Sequence, residues 1–222
     1  GIAHQLEHML FKGTSDRPIQ FGRLFSALGS EFNAFTSYDQ TAYFGTVESH
    51  KLRALLTLEA DRMHNSLIDP AQLESEKRVV ISGLQGYEND PGYRISRAVL
   101  RAAFPNSEYG LPVGGTKADV EKFTVEQVRQ YYRQYYSPEN ATLVVVGDFQ
   151  TEPILQAIKE IFGNIPNQSK DVAAKTNNLT KTAPANATNK NPIVLREEGS
   201  ASLLDVVYPM PPINHPDVPA LQ

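Results

Sequence analysis

A pair of short strand-forming segments among helical patterns is the feature that most constrains the fold of this chain. Residues 31–36 (EFNAFT) and 41–47 (TAYFGTV) carry alternating or clustered β-forming side chains on either side of the turn sequence SYDQ. This pattern predicts two antiparallel strands joined by a turn. Because adjacent strands pair while helical patterns occupy most of the remaining chain, the sequence predicts an α+β fold.

Apolar residues recur at helical spacing on both sides of the strand pair. Asp69 and Pro70 are predicted to begin one helix, as its N-cap and its first helical residue. The predicted helices cover residues 2–11, 19–28, 52–67, 70–88, 93–104, 124–136 and 152–162. Further strands are predicted at residues 141–146 (ATLVVV), 193–195 and 203–208. A last helix is predicted to start after His215-Pro216-Asp217.

The composition excludes several classes of function. The 222 residues are 41% hydrophobic and 21% charged, as in a soluble globular protein. A net charge of -4 and the absence of Lys and Arg clusters argue against a nucleic-acid partner. No apolar run approaches the ~18 residues of a membrane span. Because the chain contains no cysteine, any metal must be bound by His, Asp or Glu.

The segment GIAHQLEHMLFKGT combines a helical pattern with a group of metal-binding side chains. On a helix, His4, Glu7 and His8 share one face, while the Leu and Met side chains of the segment face a core. Two imidazoles at this spacing can chelate one zinc ion, and the carboxylate between them can take a proton from metal-bound water. The order H-x-x-E-H is the inverzincin signature. A chance match of five letters is the competing interpretation.

Four segments together resemble the M16 metallopeptidase family (pitrilysin, insulinase, mitochondrial processing peptidase), in its M16B branch. They are, in order, GIAHQLEHMLFKGT, SEFNAFTSYDQTAYF, YGLPVGG and SPENATLVVVGD. The resemblance covers essentially the whole chain. It implies a LuxS/MPP-like metallohydrolase fold, in which helices pack on a mixed sheet rich in antiparallel strands.

The resemblance also implies roles for individual residues. His4 and His8 are expected to bind Zn2+, and Glu7 is expected to act as general base. An edge strand that pairs with the substrate backbone is expected to contain Asn33, Ala34 and Phe35. Independently of the family, an exposed strand edge can bind an extended peptide by β-augmentation. An ordinary edge strand is the alternative interpretation.

The third zinc ligand of the family is a Glu in a segment of the form Glu-x-x-Val-Val-x-x-Glu, which reads EKRVVISG here. Glu76 matches the first acid and is counted with the catalytic residues, but Gly83 stands where the ligand is expected. Glu76 lies about 10.5 Å from position 83 along a helix axis, and Glu88 points about 140° away. Neither replaces the missing ligand. Three interpretations stay open: a point change, a natural inactive member, and a weaker zinc site completed by water.

The composition changes between residues 166 and 192, where Asn, Lys, Thr, Ala and Ser dominate. This segment is predicted to be a linker without fixed structure. Residues 1–165 are expected to form the M16 domain that carries the zinc motif, without its first strands. Residues 193–222 are expected to begin a second, truncated M16 domain.

The leading prediction is a zinc-dependent metalloendopeptidase that hydrolyses peptides or short unfolded polypeptides, with activity impaired by Gly83. The alternative is a non-catalytic M16-like subunit that binds peptide or supports an active partner. The expected partners are a peptide substrate and a second M16 chain, in a homodimer or heterodimer. Nothing in the sequence indicates the compartment.

Overall fold

The computed structural model describes residues 1–167, 192–197 and 201–221. Within these ranges, none of the helices is both long and apolar enough to cross a membrane. The helices are α1 (Ile2–Met9), α2 (Phe21–Leu28), α3 (Leu52–Asn65), α4 (Pro70–Glu88), α5 (Pro91–Ala103), α6 (Lys117–Lys122), α7 (Val125–Tyr135), α8 (Thr151–Phe162) and α9 (Val218–Leu221). The predicted helices are confirmed to within a few residues at their ends.

The short helix α6 was not predicted from the sequence. It begins with a capping box, in which the side chains of Thr116 and Asp119 each accept a hydrogen bond from the other residue's backbone N–H. Such reciprocal caps stabilise the first turn of a helix. The sequence T-x-x-D at 116–119 is the signal that marks this helix.

The predicted strand pair is confirmed. Strand β1 (Glu31–Thr36) pairs antiparallel with β2 (Thr41–Thr46), in a register that runs from Glu31 opposite Thr46 to Thr36 opposite Thr41. Exposure alternates along β1, so that Phe32, Ala34 and Thr36 lie on its less exposed face. The described residues therefore form an α+β fold with a small antiparallel sheet, as predicted.

Two apolar clusters bury the inner faces of the helices. One cluster holds the apolar face of α1 against α4 and α7, and it contains Leu6, Met9, Leu10, Ile68, Leu73 and Val128. The other cluster joins α2 to α3, and it contains Phe21, Phe25 and Leu55. Because α1 buries its Leu and Met side chains in the first cluster, its polar face is presented away from that core.

The described residues divide into two compact units. One consists of residues 1–84 and 113–167, and the other of residues 85–112, 192–197 and 201–221. All side chains of the candidate site belong to the first unit. Residues 168–191, which include most of the predicted linker, lie outside the described ranges. The predicted domain limits at 165 and 193 stay a prediction.

The strands predicted at 141–146, 193–195 and 203–208 are wrong for this structure. None of these segments forms a strand, and Val144 and Val146 are 73% and 89% exposed. A strand exists only where a second strand satisfies its backbone N–H and C=O groups. No partner strand lies beside these segments among the described residues. Apolar composition alone therefore overestimated the number of strands.

Candidate functional site

Helix α1 places two imidazoles side by side with a carboxylate between them. The rings of His4 and His8 stand one helical turn apart, with centroids at 4.8 Å and ring planes at 83°. Glu7 lies on the same side of α1, while Leu6 and Met9 are fully buried on the other. The predicted division of α1 into a core face and a polar face is confirmed.

His4 is held as a neutral imidazole. Burial, followed by the nearby charge of His8, lowers the pKa of His4 to about 4. Its Nδ1 is buried and has no hydrogen-bond partner in the described part of the protein. A neutral imidazole offers a lone pair, which is the form that binds metals.

A buried carboxylate fixes the orientation of His8. Glu76, which is 5% exposed, accepts a hydrogen bond at Oε1 from His8 Nδ1 at 2.9 Å, and its Oε2 forms an ion pair with Lys12. Burial tends to raise the pKa of Glu76, but the hydrogen bonds from His8 and Lys12 outweigh it and lower the pKa. A carboxylate on one ring nitrogen leaves the other free to face a metal. Glu76 is thus placed to act through His8.

Glu7 is tied to the end of the strand pair. The hydroxyl of Thr36 donates a hydrogen bond to Glu7 Oε2 at 2.5 Å, and Glu7 is 8% exposed. The sequence interpretation missed Thr36, although a signal for it existed. Strand alternation places Thr36 on the same face as Phe32 and Ala34, which is the face that packs toward α1.

The predicted substrate residues lie on β1, with Asn33 and Phe35 exposed. The N–H of Ala34 donates a hydrogen bond to its neighbour's side chain, Asn33 Oδ1, at 2.9 Å. This amide therefore faces away from β2. No second strand covers this edge of β1 within the described ranges. An uncovered strand edge is the kind of site at which an added peptide strand can pair.

Helix α4 approaches the polar face of α1 through Glu76. Near its middle, Glu76 meets His8. Further along, Leu84 and His4 both approach Gly114. A β-carbon added at Gly114 would lie 2.6 Å from Leu84 Cδ2 and 3.5 Å from His4 Nδ1. The stretch of α4 from residue 76 to residue 84 therefore extends from beside His8 toward His4.

Gly83 lies on this stretch of α4 and contributes no side chain. A β-carbon added there would meet no atom within 4 Å. Among the residues that the structure describes, no group of three or more His, Cys, Asp or Glu side chains is arranged to bind a metal. His4 and His8 could provide two ligands, and the described residues bring no third His, Asp or Glu to them in a metal-binding arrangement.

Solved structures define the class of protein. A protease from Helicobacter pylori is 27% identical with a TM-score of 0.72, and the match covers 76% of this chain and 41% of that chain. The first half of the periplasmic protease PqqL from Escherichia coli is 27% identical with a TM-score of 0.69, covering 76% and 38%. The described fold is therefore that of the M16-like peptidases.

The chain belongs to peptidase family M16. The family model described as insulinase (peptidase family M16) matches residues 1–117, and the model described as peptidase M16 inactive domain matches residues 122–222. The zinc protease YmxG of Bacillus subtilis is 31% identical over 171 residues, which are 77% of this chain and 42% of that protein. The zinc protease ML0855 of Mycobacterium leprae is 32% identical over 165 residues, or 74% and 37%. The chain thus spans about two fifths of the length of these relatives.

Proposed function

We propose that this chain carries the catalytic groups of a zinc-dependent endopeptidase that acts on extended peptides or short unfolded polypeptides. We also propose that Gly83 lowers the affinity of the site for zinc. The observation that carries the proposal is the polar face of α1. It presents His4, Glu7 and His8 together, with Glu76 oriented behind His8. The zinc proteases among the relatives support the choice of metal.

Each side chain has a distinct role in this proposal. His4 and His8 would bind the metal, and Glu76 would keep His8 in its binding orientation. A bound zinc ion polarises a carbonyl and makes water acidic enough to lose a proton near neutral pH. Glu7 would accept that proton and later donate it to the leaving amine. The exposed edge of β1 would align the substrate backbone beside Glu7.

Gly83 explains why the site would bind zinc weakly. Catalytic zinc sites use three protein ligands and keep the fourth position for water or substrate. The described chain supplies only two ligands. Glu76 cannot be the third without giving up its contacts with His8 and Lys12.

Replacing Glu7 with Gln tests the proposal. The exchange keeps the size of the side chain but removes its basic group. It should lower kcat for a quenched fluorescent peptide by at least about 100-fold in zinc-loaded protein that carries Gly83→Glu. The same exchange at the exposed Glu126 of α7, which lies outside the site, should leave kcat unchanged. Cleavage that survives Glu7→Gln would contradict the proposal.

The second candidate is a non-catalytic subunit, which Gly83 favours. In that case the retained β1 edge binds peptide, and a second M16 chain supplies the active site. The unsubstituted chain would then not cleave the peptide in excess zinc, while binding of the peptide, followed by fluorescence anisotropy, would persist. Cleavage by the unsubstituted chain that depends on Glu7 decides against this candidate.

Glu76→Gln should weaken zinc binding by about 10–100-fold, because a group that orients a metal ligand contributes that much to metal affinity. Gln keeps the shape of Glu76 but cannot balance the charge of Lys12. The affinity is measured by competition with a chromophoric chelator in the Gly83→Glu background. Glu74→Gln is the matched control, since Glu74 lies on α4, is exposed and also pairs with a lysine, Lys77. Equal losses in both variants would contradict the role of Glu76.

A further inference from the structure

A row of hydroxyl groups leads from Glu7 into the protein. Thr36 Oγ1 lies 2.5 Å from Glu7 Oε2 and 3.3 Å from Thr41 Oγ1. The Tyr136 hydroxyl lies next, close to the Thr41 side chain and 2.8 Å from the hydroxyl of Tyr43. The row thus joins α1, the paired ends of β1 and β2, and the C-cap of α7.

The directions of the first two hydrogen bonds in this row follow from the Glu7 carboxylate. An ionised carboxylate only accepts hydrogen bonds, and each hydroxyl has one proton to donate. Thr36 therefore donates to Glu7, so Thr41 donates to Thr36. The hydroxyls of Tyr136 and Tyr43 continue the row beyond Thr41. The protons of both threonines point toward Glu7.

The inner end of the row is partly buried and stays protonated. Burial is the main cause that raises the pKa of both Tyr43 and Tyr136 above the ordinary tyrosine value. The guanidinium of Arg62 lies 4.5 Å from the centroid of the Tyr43 ring and holds that ring against the core. The two tyrosines thus remain protonated near neutral pH.

The row engages only one oxygen of Glu7. Within the described part of the chain, no hydrogen bond reaches Glu7 Oε1, while Oε2 accepts from Thr36. A carboxylate anchored at one oxygen has a defined plane, and its second oxygen points in a defined direction. Thr36 is also the residue that directly follows the Asn33–Phe35 edge on β1. Thr36 therefore connects the strand that is proposed to bind the substrate with Glu7, the proposed base.

We infer that Thr36 is a positioning residue for Glu7, and that the hydroxyls of Thr41, Tyr136 and Tyr43 hold Thr36 in its donating orientation. Oε2 is the anchored oxygen of Glu7, and Oε1 is the oxygen that takes the proton. This inference rests on the proposed function in treating Glu7 as the base. The hydrogen bond from Thr36 that anchors Glu7 does not depend on the proposed function.

Thr36→Val and Thr36→Ser test the role of the hydroxyl in the Gly83→Glu protein. Val keeps the branched shape and removes the hydroxyl, whereas Ser keeps the hydroxyl. Because a small misplacement of a catalytic group can cost about 100-fold, Thr36→Val should lower kcat by about 10–100-fold and leave KM within about twofold. Thr36→Ser should stay within about threefold of the parent kcat. Thr46→Val, at the exposed far end of the strand pair, should have no effect.

Crystal structures of Thr36→Val and Thr36→Ser give a readout that does not need activity. The Glu7 carboxylate should keep its place in Thr36→Ser and leave it in Thr36→Val. If no variant cleaves peptide, the proposed function fails, and the position of Glu7 in these two structures still decides this inference. An unmoved Glu7 in Thr36→Val overturns it. Equal losses of kcat in both variants, or a loss that lies entirely in KM, also overturn it.

Discussion

Gly83→Glu should convert a chain that loses zinc during dialysis into one that retains close to one equivalent of it. The substitution places a carboxylate on the part of α4 that runs from beside His8 toward His4. A β-carbon at position 83 meets no atom within 4 Å, so a side chain can begin there without a clash at its first atom. Replacing a glycine inside a helix also favours that helix by up to about 1 kcal/mol.

The gain in zinc affinity should be at least about 10–100-fold, because loss of a group that only orients a ligand already costs that much. It is measured by chelator competition and by metal analysis after dialysis. Gly83→Gln controls for side-chain length and helix propensity. Gly86→Glu adds the same charge at another glycine of α4 with no atom within 4 Å. Tight and equal zinc stoichiometry in Gly83→Glu and in the unsubstituted chain would contradict the prediction.

Arg62→Ala should lower the free energy of unfolding by about 3–5 kcal/mol. Arg62 is 2% exposed, and its guanidinium lies 4.8, 5.0 and 4.5 Å from the ring centroids of Phe11, Phe25 and Tyr43. It also forms an ion pair with Glu59. The substitution removes these contacts, leaves Glu59 without its partner and opens a cavity among the three rings.

Arg53→Ala is the matched control for Arg62→Ala because it lies on the same helix, α3. Arg53 pairs with Glu160 at 2.7 Å, but the two side chains are 60% and 47% exposed. Exposed ion pairs contribute only about 0–1 kcal/mol. Urea unfolding followed by circular dichroism compares the two variants. Similar losses in the free energy of unfolding of both variants would show that burial among the rings does not make Arg62 more stabilising than Arg53.

Local periodicity made part of the site predictable from the sequence. The one-turn spacing of His4 and His8 determines that their rings meet, since a helix of 3.6 residues per turn places such residues on one face. The register of β1 and β2 follows similarly from a short turn between two alternating segments. In both cases the interacting residues are close along the chain, and the pattern alone specifies the contact.

Contacts between distant parts of the chain could not be predicted in this way. Glu76 meets His8 across 68 residues of sequence, and Glu7 meets Thr36 across 29. Only the packing of α1 against its neighbours brings these pairs together. The predicted strand at 141–146 failed for the related reason that a strand depends on a partner, and partners are not encoded within the segment.

The open space around Gly83 has a consequence for how this position can change over time. No packed neighbour depends on residue 83, so exchange between Gly and Glu there neither creates a cavity nor forces a repacking. Stability of the folded chain therefore depends on this residue mainly through helix propensity, by up to about 1 kcal/mol. Position 83 can lose or regain its carboxylate without a change in the packing around its β-carbon.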